Sequence, residues 1–310
     1  NGWKSRALEN FVNEFNPDIV WLEGSPLPLM NKVQLYVLKL AGKPASIFIQ
    51  DDIYSFESCT SLAGRIYKVL LRKSFRKVIG RCKNVFVISP KMKREYDDIF
   101  HIESTVITKG IDLNGLPEVI RHPHNPIRLV YMGQVIYGRI FSLIELARAV
   151  KRINEDGVKV QLSVYTNNVI ESELKKQLLC SEEIRLLPPV PYSEVAGVIA
   201  DNDVVVYVES FEPQFSKIAR LSFSTKITDY LSSGKCIFAV GPGDVAPVEY
   251  LIEEDAAIAV TSMDDIETAL RGLSYRKVID YAARARDCAV RNHSKTLIDG
   301  KVAECLNSIV

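Results

Sequence analysis

The chain lacks any apolar run near the roughly 18 residues that would cross a bilayer, and no secretory hydrophobic segment opens it. A membrane-spanning helix is therefore excluded at the level of sequence. Its six cysteines (Cys59, Cys82, Cys180, Cys236, Cys288 and Cys305) contain no Cys-x-x-Cys pair, which argues against a disulfide frame or a zinc site. They read as isolated thiols of a reducing, cytoplasmic compartment. The four histidines (His101, His122, His124 and His293) are as dispersed, so no metal cluster is expected, and they read as loop or surface residues. No low-complexity tract or 20–50-residue repeat occurs, which removes solenoids and fibrous classes. Acidic residues are absent between Glu57 and Glu95.

What is present is the composition of a globular protein: 310 residues, 47% apolar and 25% charged. That length accommodates two ordinary α/β domains. The net charge of +1 hides an asymmetry: residues 1–115 carry 17 Lys/Arg against 12 Asp/Glu, and the remainder 22 against 26.

Short apolar strands alternate with helical patterns, which implies parallel sheets. In the first part the strands fall at 18–24, 44–50, 84–89 and 104–109. A breaker-rich stretch at 110–126, with Gly110, Gly115, Pro117, Pro123 and Pro126, reads as a linker. A second series follows, with strands at 127–133, 159–166, 184–190, 203–209, 236–241 and 257–261. Its helices are expected at 140–156, 171–179, 193–200, 225–233, 264–271 and 275–291, and a last amphipathic helix at 294–309. The fold class is α/β, with two Rossmann-like doubly wound domains spanning 1–120 and 121–292, followed by a tail helix at 293–310. The first series has four strands and shows no opening Gly-rich βα unit, so that domain reads as N-terminally incomplete.

Residues 222–243 combine a hydroxyl-rich helix start, a short helix, a Gly turn and a buried strand. Ser224 or Thr225 suits the N-cap, and Ile227, Tyr230 and Leu231 share one face. A helix N-terminus with hydroxyls and Lys226 beside it suits a phosphate. Asp229 lies roughly 7 Å further along the axis, within reach of a ribose on the same nucleotide.

Residues 65–83 hold eight cations, among them Arg72, Lys73, Arg76 and Lys77. Ile66, Val69, Leu70, Val78 and Ile79 recur there at helical spacing, with Leu71 and Phe75 adding bulk. Two readings stand together: a basic amphipathic helix lying on an anionic membrane surface, or a core-packing helix with a solvated cationic face. Nucleic acid is not expected, because no aromatic interleaving accompanies the cations.

Three segments carry a family resemblance over essentially the whole chain. Residues 107–113, with Lys109-Gly-Ile-Asp112, are similar to an Asn-Gly-Ile-Asp hinge turn. Residues 131–147, with Gly133, Gln134 and Arg139, are similar to a strand–loop–helix motif that carries two cations. Residues 222–243 are similar to a donor-binding block. Together these resemble the group 1 (retaining, nucleotide-sugar-dependent) glycosyltransferases of GT-B fold, in which two domains face a cleft.

The resemblance implies transfer of a sugar from a nucleotide-diphosphate sugar to a saccharide or lipid-linked acceptor in surface polysaccharide synthesis. It implies retention of configuration, no metal and no cofactor. A basic first domain fits a lipid-linked acceptor, and the enzyme would sit peripherally on the inner face of the membrane. Ser224, Thr225, Lys226 and Arg139 would surround the diphosphate, Gly133 and Gln134 would belong to the same donor site, and Asp229 would take the ribose. Gln134 stands where the family has Arg, and Arg139 where it has Lys. Leu221 falls where a partner Glu is usual, which leaves Glu209 or Glu212 as substitutes. Asp51 and Asp52, at the end of a first-domain strand, would serve the acceptor or the developing charge; an Asx turn is the alternative. The turn at 188–194 would flank the base. Two other functions fit the same residues: a nucleotide-sugar 2-epimerase of GT-B fold, and a non-catalytic membrane-associated partner.

Overall fold

The computed structural model describes residues 2–56 and 61–310; Cys59 lies outside them. The chain forms two compact units. Unit 1 takes the residues up to Thr108, with Leu221–Phe223 and Leu297–Val310; unit 2 takes Lys109–Arg220 and Ser224–Thr296.

Unit 1 runs α1 (Arg6–Phe15), β1 (Val20–Glu23), α2 (Pro28–Ala41), β2 (Ala45–Ile49), α3 (Leu62–Ile79), β3 (Asn84–Val87), α4 (Pro90–Phe100) and β4 (Thr105–Val106). The strands are all parallel, in the order β1-β2-β3-β4. Ser5, Ser61 and Ser89 cap α1, α3 and α4, each hydroxyl accepting a first-turn N–H. Ile47, Ile49 and Phe86 are fully buried, as central parallel strands require.

Helix α3 has two apolar faces. Leu71, Phe75, Val78 and Ile79 turn into the core, and buried Lys68 donates to the Ile53 carbonyl at 3.0 Å. Leu62, Ile66, Val69 and Leu70 are more than half exposed on the opposite side. Their spacing of four, three and one residues puts them in a single stripe, which Lys73 and Lys77 continue. The pattern expected from sequence merged these two faces into one.

Unit 2 runs β5 (Ile127–Met132), α5 (Arg139–Ile153), β6 (Val160–Tyr165), α6 (Ser172–Leu178), β7 (Ile184–Leu187), α7 (Tyr192–Ala200) and β8 (Val204–Val208). It continues with α8 (Pro213–Ala219), α9 (Thr225–Ser232), β9 (Cys236–Val240), α10 (Ala246–Glu253), β10 (Ile258–Val260), a 3₁₀ turn (Met263–Asp265), α11 (Ile266–Arg271) and α12 (Tyr275–His293). The last helix, α13 (Lys295–Asn307), belongs to unit 1 from Leu297 onward, where Ile298 packs on Phe86 and Ile107. The parallel sheet has the order β10-β9-β8-β5-β6-β7. The chain therefore starts at a central strand and reverses direction beside it, the doubly wound arrangement whose switch point lies at the carboxyl end of β5.

Three features differ from the sequence expectation. The units divide after Thr108, not after 120, because the breaker-rich stretch is fastened to unit 2. Ile111 exchanges backbone hydrogen bonds with His293 and Lys295, both 2.7 Å, and the Ile120 N–H donates to the Gly234 carbonyl at 2.9 Å. Helices α8 and α10 were not expected: α8 buries no residue, and α10 is buried over most of its length, so neither shows an amphipathic period. His293 is buried, its Nε2 2.7 Å from the Tyr250 hydroxyl, and is not a surface residue.

Candidate functional site

The carboxyl ends of β5 and β6 and the start of α9 border a cavity of about 1170 Å³ lying wholly within unit 2. Gly133, Gln134, Arg139, Ser224, Thr225 and Lys226 line it, and so do Pro189, Val190, Ala196 and Ile199, so the turn at 188–194 reaches the wall. Polar, cationic groups and apolar side chains in one cavity suit a ligand that carries both kinds of group.

Why the chain places a helix start there is local. Ser224 caps α9, its Oγ accepting the Lys226 N–H at 3.4 Å, while Ile227, Tyr230 and Leu231 bury the inner face of the helix. Gly234 then turns with φ +73, and a side chain there would collide with the Glu118 carbonyl. Lys226 lies against Gly133, where any Cβ would meet its ammonium group. Burial and the neighbouring Arg139 lower the Lys226 pKa, and Glu209 opposes them. No hydrogen bond or ion pair holds the Lys226 ammonium among the described residues.

Arg139 opens α5 but is committed elsewhere. Its Nε and Nη2 donate to the two Glu209 carboxylate oxygens at 3.1 and 3.0 Å, a bidentate pair. The Tyr207 hydroxyl adds a third bond to the same carboxylate at 2.5 Å, and Glu209 is 4% exposed. Burial pulls the Arg139 pKa down, and the Glu209 charge more than offsets it. Gly241 makes room for the root of this side chain, since a Cβ there would press on the Glu209 Cβ. The expected diphosphate cation is thus a neutralised member of a buried network, although its edge still borders the cavity.

The remaining sequence-derived residues are distributed as follows. Asp229 borders the cavity and is paired with Lys109, the residue standing in the hinge turn where the family has Asn. The unusual Lys was visible in the sequence, but its partner, 120 residues away, was not. Glu212 precedes α8, accepts from Gln214 at 3.1 Å and does not border the cavity. Leu221 is fully buried in unit 1, where its carbonyl accepts from Ser89 at 3.0 Å. In unit 1, Asp51 accepts from the Ser222 hydroxyl at 2.9 Å. Asp52 accepts the N–H groups of Tyr54 and Ser55, which is an Asx turn. Arg72 and Arg76 do not simply project into solvent, because their guanidinium groups stack on Tyr54, Phe56 and Phe100. Lys73 and Lys77 are exposed. Among the described residues, no three His, Cys, Asp or Glu side chains gather to hold a metal, and no helix is long and apolar enough to cross a membrane.

No protein-family model matches the chain, and no curated protein matches it at a significant level. Solved structures do. The chain is similar to a protein of the GtfA/B complex, with TM-score 0.71 and 12% identity over 97% of this chain and 60% of that one. It is similar to TarM of S. aureus, solved with fondaparinux, alpha-GlcNAc-glycerol and UDP, with TM-score 0.65 and 12% identity over 97% and 58%. It is also similar to a UDP-forming alpha,alpha-trehalose-phosphate synthase from Burkholderia xenovorans solved with glucose-6-phosphate, with TM-score 0.65 and 12% identity over 97% and 76%. The chain thus spans under two thirds of the first two proteins. At this identity the likeness establishes the fold, the two-unit parallel α/β architecture of GT-B proteins.

Proposed function

We propose that the protein is a glycosyltransferase that takes a sugar from a nucleotide-diphosphate sugar bound in unit 2. The observation carrying this reading is the cavity at the switch point, which a capped helix start, Lys226 (unpaired among the described residues), Asp229 and apolar side chains line together. Anion binding at a helix start and a carboxylate for ribose hydroxyls are what a nucleotide diphosphate requires. In this reading the start of α9 and Lys226 stabilise charge developing on the departing diphosphate, the role a metal would otherwise fill. Asp229 takes the ribose after leaving Lys109, an exposed pairing that is weak enough to exchange. Binding of UDP by TarM supports this reading, as does the UDP-forming activity named for the trehalose-phosphate synthase.

The finer reading is retaining, metal-independent transfer to a saccharide or lipid-linked acceptor in surface polysaccharide synthesis, with Asp51 positioning the acceptor hydroxyl. We assign the protein to an anionic membrane surface on the strength of the exposed apolar stripe of α3 and the lysines that continue it. A second reading, a non-catalytic partner, is favoured by the commitment of Arg139 to Glu209 and the burial of Leu221.

Thermal shift and product analysis with a panel of nucleotide-sugars test the proposal. Stabilisation with slow release of free sugar supports a transferase. An epimerised sugar would instead reveal a nucleotide-sugar 2-epimerase, and no binding would leave the non-catalytic reading.

A further inference from the structure

Two arginines one turn apart on α3 lie over a single aromatic shelf. The Arg72 guanidinium carbon is 4.1 Å from the Tyr54 ring centre and 4.6 Å from that of Phe56. That of Arg76 is 5.7 Å from Tyr54 and 5.5 Å from Phe100. Arg76 also donates through Nε and Nη2 to the Tyr54 hydroxyl, at 3.2 and 2.7 Å. Tyr54 is itself nearly buried and packs edge-on against Phe100. The side chains that would be most mobile on an exposed helix are therefore held in place.

Among the described residues, no carboxylate compensates them. Neither arginine has an ion pair among the described residues, although two acids lie a few residues from Tyr54. Asp51 accepts from Ser222, and Asp52 is turned into its own loop by the Tyr54 and Ser55 N–H groups. Burial would push the Tyr54 hydroxyl upward, yet the two guanidiniums bring its pKa below the ordinary value. Tyr54 sits in the loop after β2, at the carboxyl end of a parallel strand, where α/β folds receive ligands. Each guanidinium carries five N–H donors; Arg76 commits Nε and Nη2 to Tyr54, and the N–H groups that remain on the pair match a tetrahedral oxyanion.

We infer that Arg72 and Arg76, held by Tyr54, Phe56 and Phe100, form a binding site for a phosphoryl group. Binding itself is independent of the donor reading; assigning the group to the acceptor substrate rests on the transferase reading. The phosphoryl group belongs either to a phosphorylated acceptor or to a lipid headgroup, and the test separates the two sources.

The probe is inorganic pyrophosphate, titrated calorimetrically into the full chain and into R72Q/R76Q, R72K/R76K and K226Q variants, with melting checked for each. The R72Q/R76Q substitution is expected to weaken one class of pyrophosphate site by about tenfold or more. R72K/R76K should do nearly the same, since lysine keeps the charge but neither the plane nor the fork. K226Q should leave this class untouched. R72K/R76K keeps an aliphatic cover over Tyr54 and decides the matter if the Gln variant melts early. Wild-type affinity in R72Q/R76Q, or full rescue by lysine, overturns the site. Loss of pyrophosphate binding alone assigns the group to a phosphorylated acceptor. Parallel loss of binding to phosphatidylglycerol vesicles, with phosphatidylcholine as control, assigns it to a headgroup. UDP binding, which R72Q/R76Q should retain, reports separately on the donor reading.

Discussion

Replacing Glu209 with Gln keeps the volume of the side chain and removes its charge. In the native chain three donors converge on this carboxylate: Arg139 Nε, Arg139 Nη2 and the Tyr207 hydroxyl. A glutamine amide offers one carbonyl oxygen, and its NH₂ group then faces donors. The Glu209 side chain is 5% exposed and that of Arg139 24%, so the stranded guanidinium is only partly rehydrated. Charge-assisted hydrogen bonds contribute about 1.5–3 kcal/mol each, and breaking one partner of a buried pair costs about 3–5 kcal/mol. Discounting for the exposed edge of Arg139, the variant should lose about 2–4 kcal/mol. For a domain of this size that corresponds to a melting shift of about 5–15 °C. The same substitution leaves the cavity more positive and frees Arg139 at its wall, so UDP should bind more tightly, by about tenfold for one added charge-assisted bond. Calorimetric melting and UDP titration on one preparation measure both. An unchanged melting temperature would refute the structural weight given to the pair. Weaker UDP binding would refute the idea that Glu209 holds Arg139 back from the cavity.

Two further outcomes follow from the same geometry. Lys226→Met should raise stability and weaken UDP binding, because a base with a depressed folded pKa disfavours the fold while the unfolded chain is protonated. Its stability advantage should shrink as pH rises through that depressed pKa towards the ordinary lysine value; an advantage that grows with pH would contradict the sign. Serine at Leu62, Ile66, Val69 and Leu70 together should leave melting nearly unchanged, since all four are exposed, yet reduce binding to phosphatidylglycerol vesicles about a hundredfold. Unaltered vesicle binding would remove the membrane assignment.

The reach of the sequence reading is set by how far apart the interacting residues lie. Short-range signals carried well: the apolar run at 236–240, the Ser224 cap and the Gly234 turn each depend on neighbours within a few residues. Arg139 and Glu209 lie 70 residues apart and meet only because β5 and β8 are adjacent in the sheet. Nothing local to Arg139 signals a carboxylate. In α3 the limit was different. An 18-residue helix this rich in apolar residues fits a helical period with either face, and only tertiary contacts separate Phe75, which is buried, from Ile66, which is not.

The interleaving of the two units has a consequence for biosynthesis. Phe86 and Ile107 are covered by Ile298, which leaves the ribosome roughly 210 and 190 residues after them, respectively. At about 5–20 residues per second that interval is roughly 10–40 s, during which the first sheet stays partly open while the second is still being made. Vectorial folding, in which the leading domain is finished before the trailing one, is therefore unavailable to this chain. Its first sheet must wait, exposed to chaperones, for the last helix to arrive.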